Sequence, residues 1–184
     1  MSSPTDNPNA RVFFALWPTA AERGQLAKWR APLTQLCGGR EMRCETLHNT
    51  LIFVGEVEIN RLEALQLAAQ EASVESFALS FDEARYWGHN HIVYAAPHHV
   101  PLQLVKLVDE LEQSLTRHRF KFDRREYKPH VTLLRNAHWS DTPLPPMPPV
   151  CWQIRDFALV QSNSRDGKAS YQVLARFPLV SGGG

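Results

Sequence analysis

Two tetrapeptides of the chain share one pattern, His-x-Thr-Leu: His48-Asn49-Thr50-Leu51 and His130-Val131-Thr132-Leu133. With 8 histidines and 8 threonines in 184 residues, chance supplies about 0.35 His-x-Thr matches. Two or more arise in roughly 5% of such chains even before the shared leucine is counted, so the pair is a signal where one copy would not be. Both copies fall in runs that read as strands. Side chains at i and i+2 of a strand share a face, so each copy presents an imidazole beside a hydroxyl. A lone strand histidine is more often a structural hydrogen-bond partner than a catalyst. Two copies related by a pseudo-twofold give one cleft holding two imidazoles and two hydroxyls.

That array suits in-line displacement at a phosphodiester. The attacking oxygen loses a proton on one side of phosphorus, and the leaving oxygen gains one on the other. Two imidazoles do both when one starts neutral and the other protonated. Threonine hydroxyls donate to the non-bridging oxygens, where negative charge gathers. No metal and no cofactor is called for by this chemistry.

Elements must position the two motifs. Arg11–Trp17 reads as a buried strand, and Thr19 with Glu22 as a capping box that starts a helix carrying Leu26, Trp29, Leu33 and Leu36. Pro32 blurs the end of that helix. Thr46–Val54 is the strand of the first motif, Ile59–Ser73 an amphipathic helix, and Phe77–Phe81 a strand by alternation. Gly88-His89-Asn90 turns the chain into the strand His91–Ala96. Pro101–His118 is a helix with Leu104, Leu107, Val108, Leu111 and Leu115 on its stripe, and Tyr127–Leu134 is the strand of the second motif. Asn136–Val150 is a stiff, proline-rich loop, after which Trp152–Val160 and Tyr171–Phe177 pair around a Ser164–Lys168 turn. The expected fold is α+β: a two-lobed, pseudo-symmetric domain over residues 11–180, with mostly antiparallel sheets lining a central cleft and helices outside. Residues 1–10 read as a disordered tail and 181–184 as a flexible one.

Composition narrows the partners. A net charge of +1 does not suit a protein that coats duplexes, so any nucleic-acid contact is local, such as a strand end. Cys37, Cys44 and Cys151 are odd in number and lack metal-ligand spacing, which points to a reducing cytoplasm. Neither a signal peptide nor a membrane span of roughly 18 apolar residues is visible.

At these residues the chain resembles the two-histidine phosphoesterase superfamily. Within it, the likeness is to the bacterial and archaeal RNA 2′,3′-cyclic phosphodiesterases, historically called 2′-5′ RNA ligases. It runs over about Arg11–Arg135: RVFFALWP resembles the family's start, LHNTLIFVGEV its first motif with Val54 where many members have leucine, and YKPHVTLLR its second. The resemblance implies hydrolysis of RNA 2′,3′-cyclic phosphate ends to 2′-phosphates, with a reversible side reaction joining RNA halves, such as tRNA halves, by a 2′-5′ bond. It implies His48 as proton donor to the leaving oxygen, His130 as the base that activates water, and Thr50 and Thr132 as phosphate holders. The expected enzyme is a monomer. Two other readings stay open: a nucleotide- or RNA-end-binding module without turnover, and a phosphodiesterase acting on small cyclic nucleotides.

Further residues have competing readings. Arg135 either clamps a phosphate oxygen or sits on the surface. Phe53, at i+5 from His48, falls on the opposite face of a regular strand and reads as core. The run from Arg117 to Lys128, with Phe120, Phe122 and Tyr127 interleaved, either tracks an RNA backbone or is a solvated face. His89, His91, His98 and His99 have no convincing ligand spacing, and Trp87 reads as a packing aromatic.

Overall fold

A computed structural model of the chain describes residues 8–140, 142–165 and 168–182. Of the two expected tails, residues 1–7 and 183–184 lie outside the described residues; Asn9 and Ala10 already belong to the first strand. The elements are β1 (Asn9–Leu16), α1 (Ala20–Ala27), α2 (Arg30–Cys37), β2 (Arg40–Glu41), β3 (Asn49–Glu58), α3 (Leu62–Ala69), β4 (Phe77–Phe81), β5 (Glu83–Trp87), β6 (Ile92–Ala96), α4 (Leu102–Arg117), β7 (Val131–Arg135), β8 (Val150–Ile154), β9 (Asp156–Arg165) and β10 (Lys168–Pro178). No helix among the described residues is long and apolar enough to cross a membrane.

The strands form two four-stranded antiparallel sheets, β10-β9-β1-β3 and β2-β7-β6-β5, and a separate pair, β4-β8. Each large sheet contains the same unit: two antiparallel strands joined through helix, β1–α1–α2–β3 in one lobe and β6–α4–β7 in the other. Each motif lies where the chain enters the second strand of its unit. The expected α+β fold with two lobes and a cleft is present.

Local chemistry sets the helices. Thr19 Oγ1 accepts from the Glu22 N–H (3.2 Å) and the Glu22 carboxylate accepts from the Thr19 N–H (3.1 Å), so the capping box forms as read. The helix beyond it is two helices, broken at Lys28 and Trp29. Pro32 belongs to the first turn of α2, where its missing N–H costs nothing. The stripe of α4 is buried as expected, and Ser114 on it donates to the Ala68 carbonyl of α3 (2.6 Å).

Two strand assignments change. Phe77–Phe81 is not the hairpin partner of β6. That partner is Glu83–Trp87, while β4 pairs with β8 from a distant part of the chain. Trp152–Val160 is likewise not one strand, because the chain passes from β8 to β9 at Arg155, whose carbonyl accepts from the Leu179 N–H. Alternation cannot show that β4 pairs with β8, because that depends on which remote edge is free to pair, whereas the β5–β6 hairpin is closed locally across residues 88–91. The main core, including Phe14, Trp29, Phe81, Trp152 and Phe157, lies on the helix-covered faces. The opposite faces carry smaller apolar clusters, Phe13, Ala15, Ala158 and Val160 on one sheet and Ile92, Tyr94 and Ala96 on the other.

The proline-rich segment is pinned rather than free. Pro148 accepts from the Trp29 indole N–H (3.0 Å), and Leu144 and Met147 pack on the core.

Candidate active site

Each motif carries a β-bulge at its leucine. Ala15 faces Thr50 and Phe14 faces Ile52, which leaves Leu51 without a partner; Tyr94 faces Thr132 and Val93 faces Leu134, which leaves Leu133 without one. The extra residue shifts the alternation, so i+2 and i+5 from each histidine share a face. Thr50 and Phe53 therefore line the cleft together, as do Thr132 and Arg135. Phe53 is thus not a core residue, as regular alternation implied, but cleft wall, with Arg11 lying 5.1 Å above its ring.

The cleft is a cavity of about 330 Å³ bounded by Arg11, Phe13, His48, Thr50 and Phe53 from one side and His130, Thr132 and Arg135 from the other, with Tyr171 closing it. A groove of about 570 Å³ continues from the shared residues Thr50, His130 and Thr132 to Trp87, His89, Arg125 and Lys128. Arg135 is paired across the sheet with Arg40, a like-charge pair on one face that an anion would relieve.

The two rings are held alike. His48 Nδ1 lies 2.7 Å from the Thr46 carbonyl and His130 Nδ1 lies 2.7 Å from the Lys128 carbonyl, each two residues upstream. A carbonyl only accepts, so each Nδ1 carries a proton, and Nε2 is left to exchange protons with a ligand. The surroundings differ. His48 is packed by Trp17 (5.3 Å, near-parallel), Phe13 (5.0 Å) and the edge of Tyr171 (5.2 Å). His130 meets the edges of Trp87 (4.8 Å) and Tyr94 (5.8 Å). Arg23 lies over the Trp17 ring (4.6 Å) and donates to the Leu47 carbonyl (3.0 Å).

Burial lowers the pKa of both histidines. For His48 it outweighs the favourable Thr46 carbonyl, and the charges of Arg23, His130 and Arg135 add to it, bringing the ring from 6.5 to about 4. His130 is lowered by burial against the Lys128 carbonyl. Both rings then favour the neutral form at pH 7, and an anion bound between them would raise both. Histidine NMR titration should find His48 near 4 without ligand and higher with a nucleotide phosphate; a free value at or above 6.5 would contradict this. Between 6.5 and about 4 the unfolded chain binds more protons than the folded one, so His48 makes stability fall as pH falls through that window.

The structure brings His48, Thr50, His130, Thr132 and Arg135 to one cleft. It divides the basic run. Arg117 and His118 are held by Glu71 (2.6 and 2.5 Å) and Arg125 is paired with Asp123 (2.9 Å), while Arg125 and Lys128 border the groove. His98 pairs with Glu83 and His91 contacts Tyr86 and the His138 ring; no group of three or more His, Cys, Asp or Glu stands ready to hold a metal among the described residues. Sequence reading missed Arg11, Tyr171 and Asn49. The signal for Arg11 was a charge on the alternate face of an otherwise apolar strand. Tyr171 and Asn49 offered none, because both depend on contacts between distant segments.

Comparison with known proteins follows the same lines. The family model described as the 2′-5′ RNA ligase superfamily matches residues 17–166. The chain is 32% identical over 170 residues to the RNA 2′,3′-cyclic phosphodiesterase of Escherichia coli K12, covering 92% of this chain and 97% of that one. The crystal structure of E. coli LigT complexed with 3′-AMP superposes with a TM-score of 0.83 at 31% identity, covering 94% and 99% of the two chains. A protein of Thermus thermophilus shares the fold, with a TM-score of 0.73 at 22% identity and 91% and 97% coverage.

Proposed function

The chain belongs to the 2′-5′ RNA ligase superfamily, and from that premise we propose that it hydrolyses 2′,3′-cyclic phosphate ends of RNA to 2′-phosphates by acid–base catalysis between His48 and His130. The observation that carries this reading is the pair of identically anchored imidazoles, each beside a threonine, on the walls of one cleft.

His130 Nε2 takes a proton from the attacking water as the new O–P bond forms. His48 Nε2, protonated when the phosphate anion binds, gives its proton to the 3′-oxygen as the P–O3′ bond breaks. Thr50 and Thr132 donate to the non-bridging oxygens, and Arg135 supplies charge at the rim. If a 5′-hydroxyl replaces water, the same transfers join two strands through a 2′-5′ bond. The arginines lining the cleft, Arg11 and Arg135, with Arg40 beside Arg135 on the neighbouring strand, favour an RNA end over a small cyclic nucleotide. All the residues used come from one chain, so a monomer suffices.

The test is turnover of a short RNA ending in a 2′,3′-cyclic phosphate, with chelator present. A 2′-phosphate product supports the reading. A 3′-phosphate overturns the choice of leaving oxygen, and nucleotide binding without turnover leaves a binding module. Thr50→Val and Thr132→Val should each lower kcat/KM about 10–100-fold, through loss of one donor to the developing charge. Steady-state kinetics checks this, and a change under threefold in both would remove the threonines from the mechanism.

A further inference from the structure

His130 lies at the end of Phe120–His130, a stretch with neither helix nor strand, so no ladder of its own fixes where it stands. The stretch is tied instead to β3, the strand of the other motif. The Asp123 N–H donates to the Phe53 carbonyl (2.8 Å), and the remaining ties converge on one side chain, that of Asn49. Asn49 Oδ1 accepts from the His130 N–H (3.0 Å), and Asn49 Nδ2 donates to Tyr127 Oη (3.1 Å).

Asn49 is fully buried, with 0% of its surface exposed. A polar side chain at such a place is costly unless it is bonded, and here both ends of the amide are engaged. Both bonds cross between the lobes, over 81 and 78 residues of chain. In the second motif the corresponding position is Val131, buried and without polar atoms on its side chain. The tie is therefore one-sided: the first motif holds the second.

We propose that Asn49 is a positioning residue that sets His130 against His48, by fixing the His130 main chain while the Lys128 carbonyl fixes its ring. This rests on the proposed His48–His130 chemistry. Small misplacements of a proton-transfer group are expensive, on the order of 10²-fold for about 1 Å. Aspartate has two oxygens in the amide's place. One accepts from the His130 N–H and the other from a Tyr127 hydroxyl turned round to donate.

The experiment compares wild type, Asn49→Ala, Asn49→Asp and Tyr127→Phe by kcat and KM on the cyclic-phosphate RNA, and by NMR of the His130 and His48 rings without substrate. Asn49→Ala should lower kcat about 10–100-fold with KM within threefold. Asn49→Asp should recover at least about tenfold of that loss, and Tyr127→Phe, which cuts only the far end, should lose less than the alanine variant. In the spectra, the His130 ring signals should move further than those of His48. A kcat within threefold of wild type for Asn49→Ala, or unmoved His130 signals in a folded variant, overturns the proposal. If wild type does not turn over the RNA, the proposed function fails, and the ring signals still decide the role of Asn49.

Discussion

Alanine in place of His130 is expected to slow opening of a 2′,3′-cyclic phosphate by about 10²–10⁴-fold in kcat, and alanine in place of His48 to do the same. In the proposed mechanism each imidazole carries one of the two proton transfers, and no other imidazole, carboxylate or thiol among the described residues lines the cavity. The losses should not multiply. Once one transfer is missing, the other histidine has little left to assist, so the double variant should lie within about tenfold of the worse single one. Nucleotide affinity should change little, because Thr50, Thr132 and Arg135 remain. Single-turnover rates with chelator present, alongside equilibrium binding, make the measurement. A loss under tenfold in either single variant would remove that histidine from the chemistry.

Gly39→Ala is expected to be the most damaging small substitution near the cleft. Gly39 has φ +90, a region that costs an L-residue about 1–2 kcal/mol. The added Cβ would also lie 2.6 Å from the Arg135 carbonyl oxygen and 3.0 Å from the Ala137 nitrogen, both main-chain atoms that cannot swing aside. Together these should cost about 2–4 kcal/mol and lower Tm by roughly 5–15 °C. Relief would come by pushing β7 away, which moves Arg135 off the cleft and lowers kcat/KM as well. Gly38→Ala is the matched control. Gly38 also has positive φ (+65), yet its Cβ would meet nothing within 4 Å, so only the conformational cost applies. Thermal unfolding of the two variants separates clash from strain, and equal shifts would show that the close approach to β7 is not tight.

What the sequence reveals about this molecule depends on how local the deciding contacts are. The capping box at Thr19 and the stripe of α4 are settled within a few residues, and both form as read. The histidines and threonines were legible because a repeated pattern carries its own control against chance. Phe53 was misread because one unpaired residue, Leu51, reverses the face assignments that follow it up to the second unpaired residue, Val54, and nothing in the strand's composition announces a bulge. The β4–β8 pair, the division of the basic run between Glu71 and the groove, and the grip of Asn49 on His130 all join segments far apart in the chain. Local pattern carries no information about which distant edge or charge will be near.

Because the Thr46 and Lys128 carbonyls hold the two rings in the same tautomer, neither imidazole is marked by its anchoring as the acid or the base. A ribose turned end for end between them would meet the same pair of nitrogens, and its other oxygen would depart. Regiochemistry is then a property of the walls beside each ring: Phe13 and Tyr171 beside His48, Trp87 beside His130. Such walls can be rebuilt by substitution while the histidines and threonines stay as they are, so one catalytic frame can serve descendants that release opposite phosphate isomers.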